Sequence, residues 1–214
     1  VPIMFSEFAE VSSATWGVIV ALLLVGIVVF AVSKNKKRWT ARMLANGALC
    51  IALSTVLSFI TLYKMPQGGS ITLASMLPMF LFAYAYGVGP GMLVGAAYGF
   101  VQFLQGGLYF VHPVELLLDY PLAFAMLGLA GLSNKFSEQW GMIPGIILGT
   151  FGRFVCAFLS GLIFFGMYAP EGQNVVIYSM VYNGLYLVPE AIICIVLAMI
   201  PQIRQLAKRL ALQD

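Results

Sequence analysis

Four ionisable side chains interrupt otherwise apolar runs: Glu115 and Asp119 in VELLLDYPLAF (114–124), Arg153 and Glu190. A charge at mid-bilayer costs about 2.5–3.5 kcal/mol on insertion scales, so such residues usually face a partner or a cavity. Glu115 and Asp119 are four residues apart and share one helix face. As neighbouring carboxylates they invite a reading as an acid–base pair. Depth separates them. Glu115 falls near the expected helix end, where water can hydrate it, whereas Asp119 lies about one to two turns below that outer end. Pro121 then removes a backbone donor, which loosens the helix beside Asp119. Arg153 and Glu190 fall at similar mid-span depth, either as an ion pair tying two helices together or as direct ligand contacts.

A second constellation lies in YAPEGQNVVIYSMVYNGLY (168–186). Tyr178, Tyr182 and Tyr186 recur at steps of four along one helix face, with Asn183 beside them. Aromatic faces attract a flat cation by stacking and cation–π interaction. A carboxylate supplies charge, and a carboxamide can meet a ring nitrogen and an amine together. Catalysis has little support. His112 is the one histidine, placed before Pro113, with no nucleophile motif around it. Cys50, Cys156 and Cys194 are scattered through apolar runs without metal-ligand spacing, as small buried hydrophobes would be. No metal, no phosphate loop and no nucleic-acid partner is expected.

The elements that must position these residues are membrane helices. The chain of 214 residues is 61% hydrophobic and 9% charged, far from the quarter or so typical of soluble domains. Mean hydropathy is +0.96. Seven helices are expected, at about 13–33, 41–63, 72–86, 91–106, 114–132, 143–166 and 177–200. GVGPG (87–91) marks a tight turn between the third and fourth, both short for a full span. The expected fold is an all-α integral membrane protein with residues 1–38 as an added N-terminal helix and basic linker, and 39–214 as a six-helix domain. With the N-terminus outside, nine of eleven Lys and Arg fall on the cytoplasmic side, as the positive-inside rule requires. GMLVGAAYG (91–99) and GMIPGIILG (141–149) carry GxxxG spacings that suit close helix packing within the monomer.

Residues from about 66 to 190 resemble the thiamine-specific substrate-binding (S) component of energy-coupling factor vitamin transporters. The resemblance is carried by PQGGSITLASMLPMF (66–80), HPVELLLDYPLAFAMLGLAGL (112–132), SGLIFFGMYAPEGQNVVIYSMVYN (160–183) and VPE (188–190). It implies a six-helix membrane subunit that binds thiamine on its outer side and works with a transmembrane coupling subunit and two ATPases. No cofactor is implied in this chain, and ATP is used by the partner ATPases. By resemblance, the acidic-plus-tyrosine pair is Asp119 and Tyr120, the last-helix tyrosine and asparagine are Tyr178 and Asn183, and an aromatic contact is Phe165. Tyr182, Glu115 and Glu190 complete the candidate ligand-binding set. Ala48 and Ala52 correspond to the small-residue stripe that docks on the coupling subunit. Two positions depart from the pattern: Ala157 stands where many members carry histidine, and KMPQGGS (64–70) lacks a tryptophan. The expected function is thiamine binding and uptake at the cell membrane. The alternatives are a thiamine precursor or another vitamin as ligand, or an autonomous carrier of a small organic cation with Arg153, Glu190 and Asp119 as its relay. Such a carrier would show inverted repeats.

Overall fold

In the computed structural model, residues 39–106, 112–135 and 141–212 are described. The expected helix at 13–33 and its basic run lie outside them, as do Glu138 and Asp214. Helix α1 (Ala41–Phe59) starts at Thr40, whose hydroxyl accepts a hydrogen bond from the Met43 amide. It buries only Met43, Gly47 and Ser54, and leaves Leu44, Leu49, Leu53 and Val56 exposed. An apolar face of this kind suits lipid.

The chain leaves the helix at Ile60 rather than at 63 as expected. Residues Thr61–Lys64 form strand β1, which pairs antiparallel with β2 (Ser70–Thr72). β-branched and aromatic side chains in TLYK favour a strand, and Gly68 at φ +101° permits the turn. The loop expected at 64–70 is therefore the tip of a hairpin. Because β2 takes residues 70–72, helix α2 begins at Leu77, not 72, and runs to Tyr86. Helix α3 (Val88–Gln105) follows through Gly87 at φ +93°. It starts three residues earlier than expected, because Pro90 is tolerated in a first turn.

Helix α4 (Pro113–Ser133) is the centre of the bundle. It changes winding along its length, from α over Pro113–Leu117 to a π turn over Leu118–Leu122, and later to 3-10 geometry from Met126. Glycines on both neighbours allow its close approach. A Cβ on Gly95 or Gly99 of α3 would strike the carbonyl of Phe124 or Tyr120. A Cβ on Gly149 of α5 (Ile143–Phe164) would lie 3.0 Å from the Leu127 carbonyl. Both GxxxG runs thus pack within the monomer, against α4. Helix α6 (Val175–Ala198) is capped by Asn174 and packs on α5.

A further helix, α7 (Pro201–Leu212), follows. It was not expected, since its apolar residues form a stripe rather than a run. Ile203, Ala207 and Leu210 join the core beneath α2, while Arg204, Lys208 and Arg209 take the opposite faces. That core is centred on α2, where Phe80, Phe82 and Tyr86 are fully buried. Among the described residues, α1, α4, α5 and α6 are long and apolar enough to cross a bilayer, and α2 at ten residues is not. The protein is an all-α, multi-pass membrane protein with one small hairpin.

Candidate ligand-binding cavity

At one end of the bundle α1 and α3 finish, α4 and α6 begin, and the last turns of α5 converge with the hairpin. A cavity of about 730 Å³ opens there. Its volume is within the usual range for small-molecule sites.

Asp119 reaches this cavity from the π turn of α4. Pro121 cannot donate to the carbonyl four residues back, and the ladder widens, so that the Ala123 amide bonds the Leu118 carbonyl five residues back. Asp119 and Tyr120 both line the cavity from this turn. Ser160 of α5 donates to Asp119 Oδ2 at 2.7 Å. Among the described residues, no Lys or Arg comes within ion-pair distance of Asp119. Tyr120 packs edge-on to Phe103 at 5.3 Å.

Glu115 is not a hydrated interfacial acid. It is 4% exposed, and its carboxylate accepts from the His112 amide while His112 Nδ1 accepts from the Val114 amide. The two residues close a capping box, and the imidazole stacks on Phe164 at 5.2 Å. His112 is therefore a buried helix cap. Glu115 still contributes to the cavity wall.

The facing wall is α6. Tyr178 and Tyr182 lie 5.9 Å apart, and Tyr182 and Tyr186 lie 6.1 Å apart in an edge arrangement. The i,i+4 spacing thus makes one continuous aromatic face. Asn183 is buried. Its Nδ2 donates to the carbonyls of Ala157 and Ser179, and its Oδ1 accepts from the Tyr186 hydroxyl at 2.9 Å. Only one acceptor lone pair of this amide is left for a ligand. Phe165 lines the mouth beside Tyr168.

Of the eight candidate ligand residues, Asp119, Tyr120, Tyr178, Asn183, Phe165, Tyr182 and Glu115 line the cavity, and Glu190 does not. Nor does Glu190 pair with Arg153, as one expectation had it. The Glu190 carboxyl is engaged by the hydroxyls of Thr72 and Ser75, and the Arg153 guanidinium lies 4.1 Å over the Phe124 ring, on the cavity wall. Ala48 and Ala52 are exposed on α1, away from the cavity.

A family model described as thiamine transporter protein (Thia_YuaJ) matches residues 44–210. The chain belongs to the thiamine transporter family. It is 36% identical over 173 residues to the thiamine transporter ThiT of Bacillus subtilis, covering 75% of this chain and 89% of that protein. It is 32% identical over 123 residues to ThiT of Lacticaseibacillus paracasei, covering 51% of this chain and 61% of that protein. The fold matches a solved structure of ThiT from Listeria monocytogenes with a TM-score of 0.66 at 26% identity, over 78% of this chain and 93% of that one.

In this member of the family, several cavity residues escaped notice in the sequence. Ser58, Gln102 and Gln105 form a polar wall opposite the tyrosines. Gln102 donates to the Tyr98 hydroxyl at 2.7 Å, and Ser58 lies 3.2 Å from Gln105 Oε1. Gln105 Nε2 is shielded from solvent and has no hydrogen-bond partner among the described residues. Two amides three apart at the end of an apolar helix were the available signal.

Proposed function

We propose that the chain binds thiamine in this cavity and delivers it inward as the substrate-specific component of an energy-coupling factor transporter. The observation that carries this is Asp119: a carboxylate on the wall of a membrane cavity, bonded to one hydroxyl and facing an aromatic ladder, with Arg153 on the same wall but no cation within ion-pair distance among the described residues. A thiazolium ring is a flat cation. It would supply the missing charge and stack on the tyrosines, and burial away from water strengthens both terms. Membership of the thiamine transporter family supports the same ligand.

Tyr120, Tyr178, Tyr182, Phe165 and Asn183 complete the proposed contact set around Asp119, with Glu115 shaping the wall. The cavity opens to the outside and the C-terminus lies in the cytoplasm. Ala48 and Ala52 on α1 present small side chains to the coupling subunit, and two ATPases hydrolyse ATP to drive uptake. The chain itself carries no cofactor and no catalytic role.

Titration of the purified protein with thiamine, followed by intrinsic fluorescence, tests the ligand. Saturable quenching at micromolar thiamine or below is expected, and no response there would count against it. Uptake into liposomes without any ATPase would favour an autonomous carrier instead.

A further inference from the structure

Glu190 stands apart from the cavity yet is among the most buried side chains, at 1% exposure. Its Oε1 lies 2.6 Å from the Thr72 hydroxyl and 2.8 Å from the Ser75 hydroxyl, and those two hydroxyls are 2.7 Å apart. All three groups are buried. Thr72 ends the hairpin and Ser75 precedes α2, so the carboxyl grips both sides of the junction between them. Between the two sits Ala74 at φ +57°, a left-handed conformation that a non-glycine residue adopts only where its surroundings impose it. The same helix also meets the hairpin at its tip. The Gln67 amide donates to the Tyr182 hydroxyl at 3.0 Å, and Gly69 packs so closely on the Tyr186 ring that a Cβ would lie 2.7 Å from it. Helix α6 therefore holds the hairpin base at Glu190 and its tip one and two turns earlier, at Tyr186 and Tyr182.

We propose that Glu190 is a positioning residue for ligand retention. By fixing the hairpin base, it sets the register in which the tip closes one wall of the cavity against Tyr182 and Tyr186. The tip is held by one hydrogen bond and the packing of Gly69 on a ring, on a half-exposed segment, and such contacts open readily. The base contact is buried, where losing the acceptor leaves one hydroxyl proton unsatisfied, since Thr72 and Ser75 can meet only one of their two protons between themselves. The role in retention rests on the thiamine reading, whereas the mechanical link between Glu190 and the hairpin does not.

Two measurements separate them. The first is amide hydrogen exchange over residues 65–72 in the ligand-free protein. Glu190→Leu is expected to speed exchange there by about tenfold or more, while Glu190→Gln, which keeps the acceptor, stays within about threefold of the parent. Unchanged exchange in Glu190→Leu overturns the link. The second is stopped-flow thiamine binding. Glu190→Leu is expected to raise the dissociation rate by about tenfold with association changed far less, and Glu190→Gln to rescue it. Equal dissociation rates in parent and Glu190→Leu, or equal impairment in both variants, overturn the positioning role. Thr72→Val and Ser75→Ala each remove one hydroxyl, and both are expected to move exchange and dissociation in the same direction if Glu190→Leu fails to fold. Parent-like behaviour in both variants refutes the proposal.

Discussion

Ser160 Oγ donates to Asp119 Oδ2 at 2.7 Å, joining α5 to the π turn of α4. The bond fixes which way the carboxylate points but does not neutralise it. A neutral hydroxyl is a weak substitute for a cation, and Arg153, on the same wall, lies over Phe124 and outside ion-pair distance, so the acid retains part of its electrostatic demand.

Asp119→Asn removes that demand while keeping the shape. Affinity for thiamine is expected to fall by about tenfold or more, in line with the 1.5–3 kcal/mol of a charge-assisted contact. Affinity for a neutral aminopyrimidine lacking the thiazolium is expected to change much less. Titrating both ligands against both proteins decides it, and equal losses would remove charge pairing from the account. Ser160→Ala should cost less, about threefold to tenfold, because water can replace the hydroxyl.

The tip of the hairpin is tested by Tyr182→Phe. The ring stays in the aromatic ladder, but the Gln67 amide loses its acceptor. A loss of about 0.5–1.5 kcal/mol is expected, read as a faster dissociation rate at similar association rate. A dissociation rate matching the parent would mean that the hydroxyl contributes nothing to holding the tip.

How much of this arrangement the sequence discloses depends on the range of the interaction responsible. Asp119 and Pro121 are legible together because a carboxylate in an apolar run and a missing backbone donor are both local anomalies. The tyrosine ladder is legible because its period is that of a helix. The hairpin is not, since Thr61 pairs with Thr72 across a turn that apolar continuity with α1 disguises. Glu190 is misplaced by the same blindness. Its depth correctly demands a partner, but nothing local reveals that Thr72 and Ser75, more than a hundred residues earlier, supply it in place of Arg153. Helix α7 escapes because a search for long apolar runs passes over a short amphipathic stripe.

Gly95 and Gly184 make a contrasting pair. A Cβ at Gly95 would run into the Phe124 carbonyl and the Ala125 backbone, whereas a Cβ at Gly184 meets nothing within 4 Å. Gly95→Ala must push α3 off α4 and is expected to cost about 1–3 kcal/mol, seen as a lower melting temperature in detergent. Gly184→Ala sits mid-helix in α6 and should be neutral or stabilising by about 0.5–1 kcal/mol. A melting temperature for Gly95→Ala at or above that of Gly184→Ala would contradict this packing of α3 against the site-bearing helix.

Gln105 offers the last test, because its amide is costly in the empty protein. As the amide is oriented, Nε2 is buried and has no partner among the described residues, although the residue lines the cavity. An unsatisfied buried polar group destabilises by about 1–3 kcal/mol. Ser58 does not depend on this amide, since its one hydroxyl proton can go instead to the closer Thr55 carbonyl at 2.7 Å. Gln105→Met keeps the length and apolar packing of the side chain and removes the amide. The empty variant is therefore expected to melt higher than the parent, while thiamine binds it more weakly by about threefold to tenfold. The opposing signs are what mark a ligand-directed group, because a purely structural glutamine would lower stability when removed. A lower melting temperature for the empty variant, with thiamine affinity unchanged, would make Gln105 part of the scaffold and leave the tyrosine wall and Asp119 to hold the ligand alone.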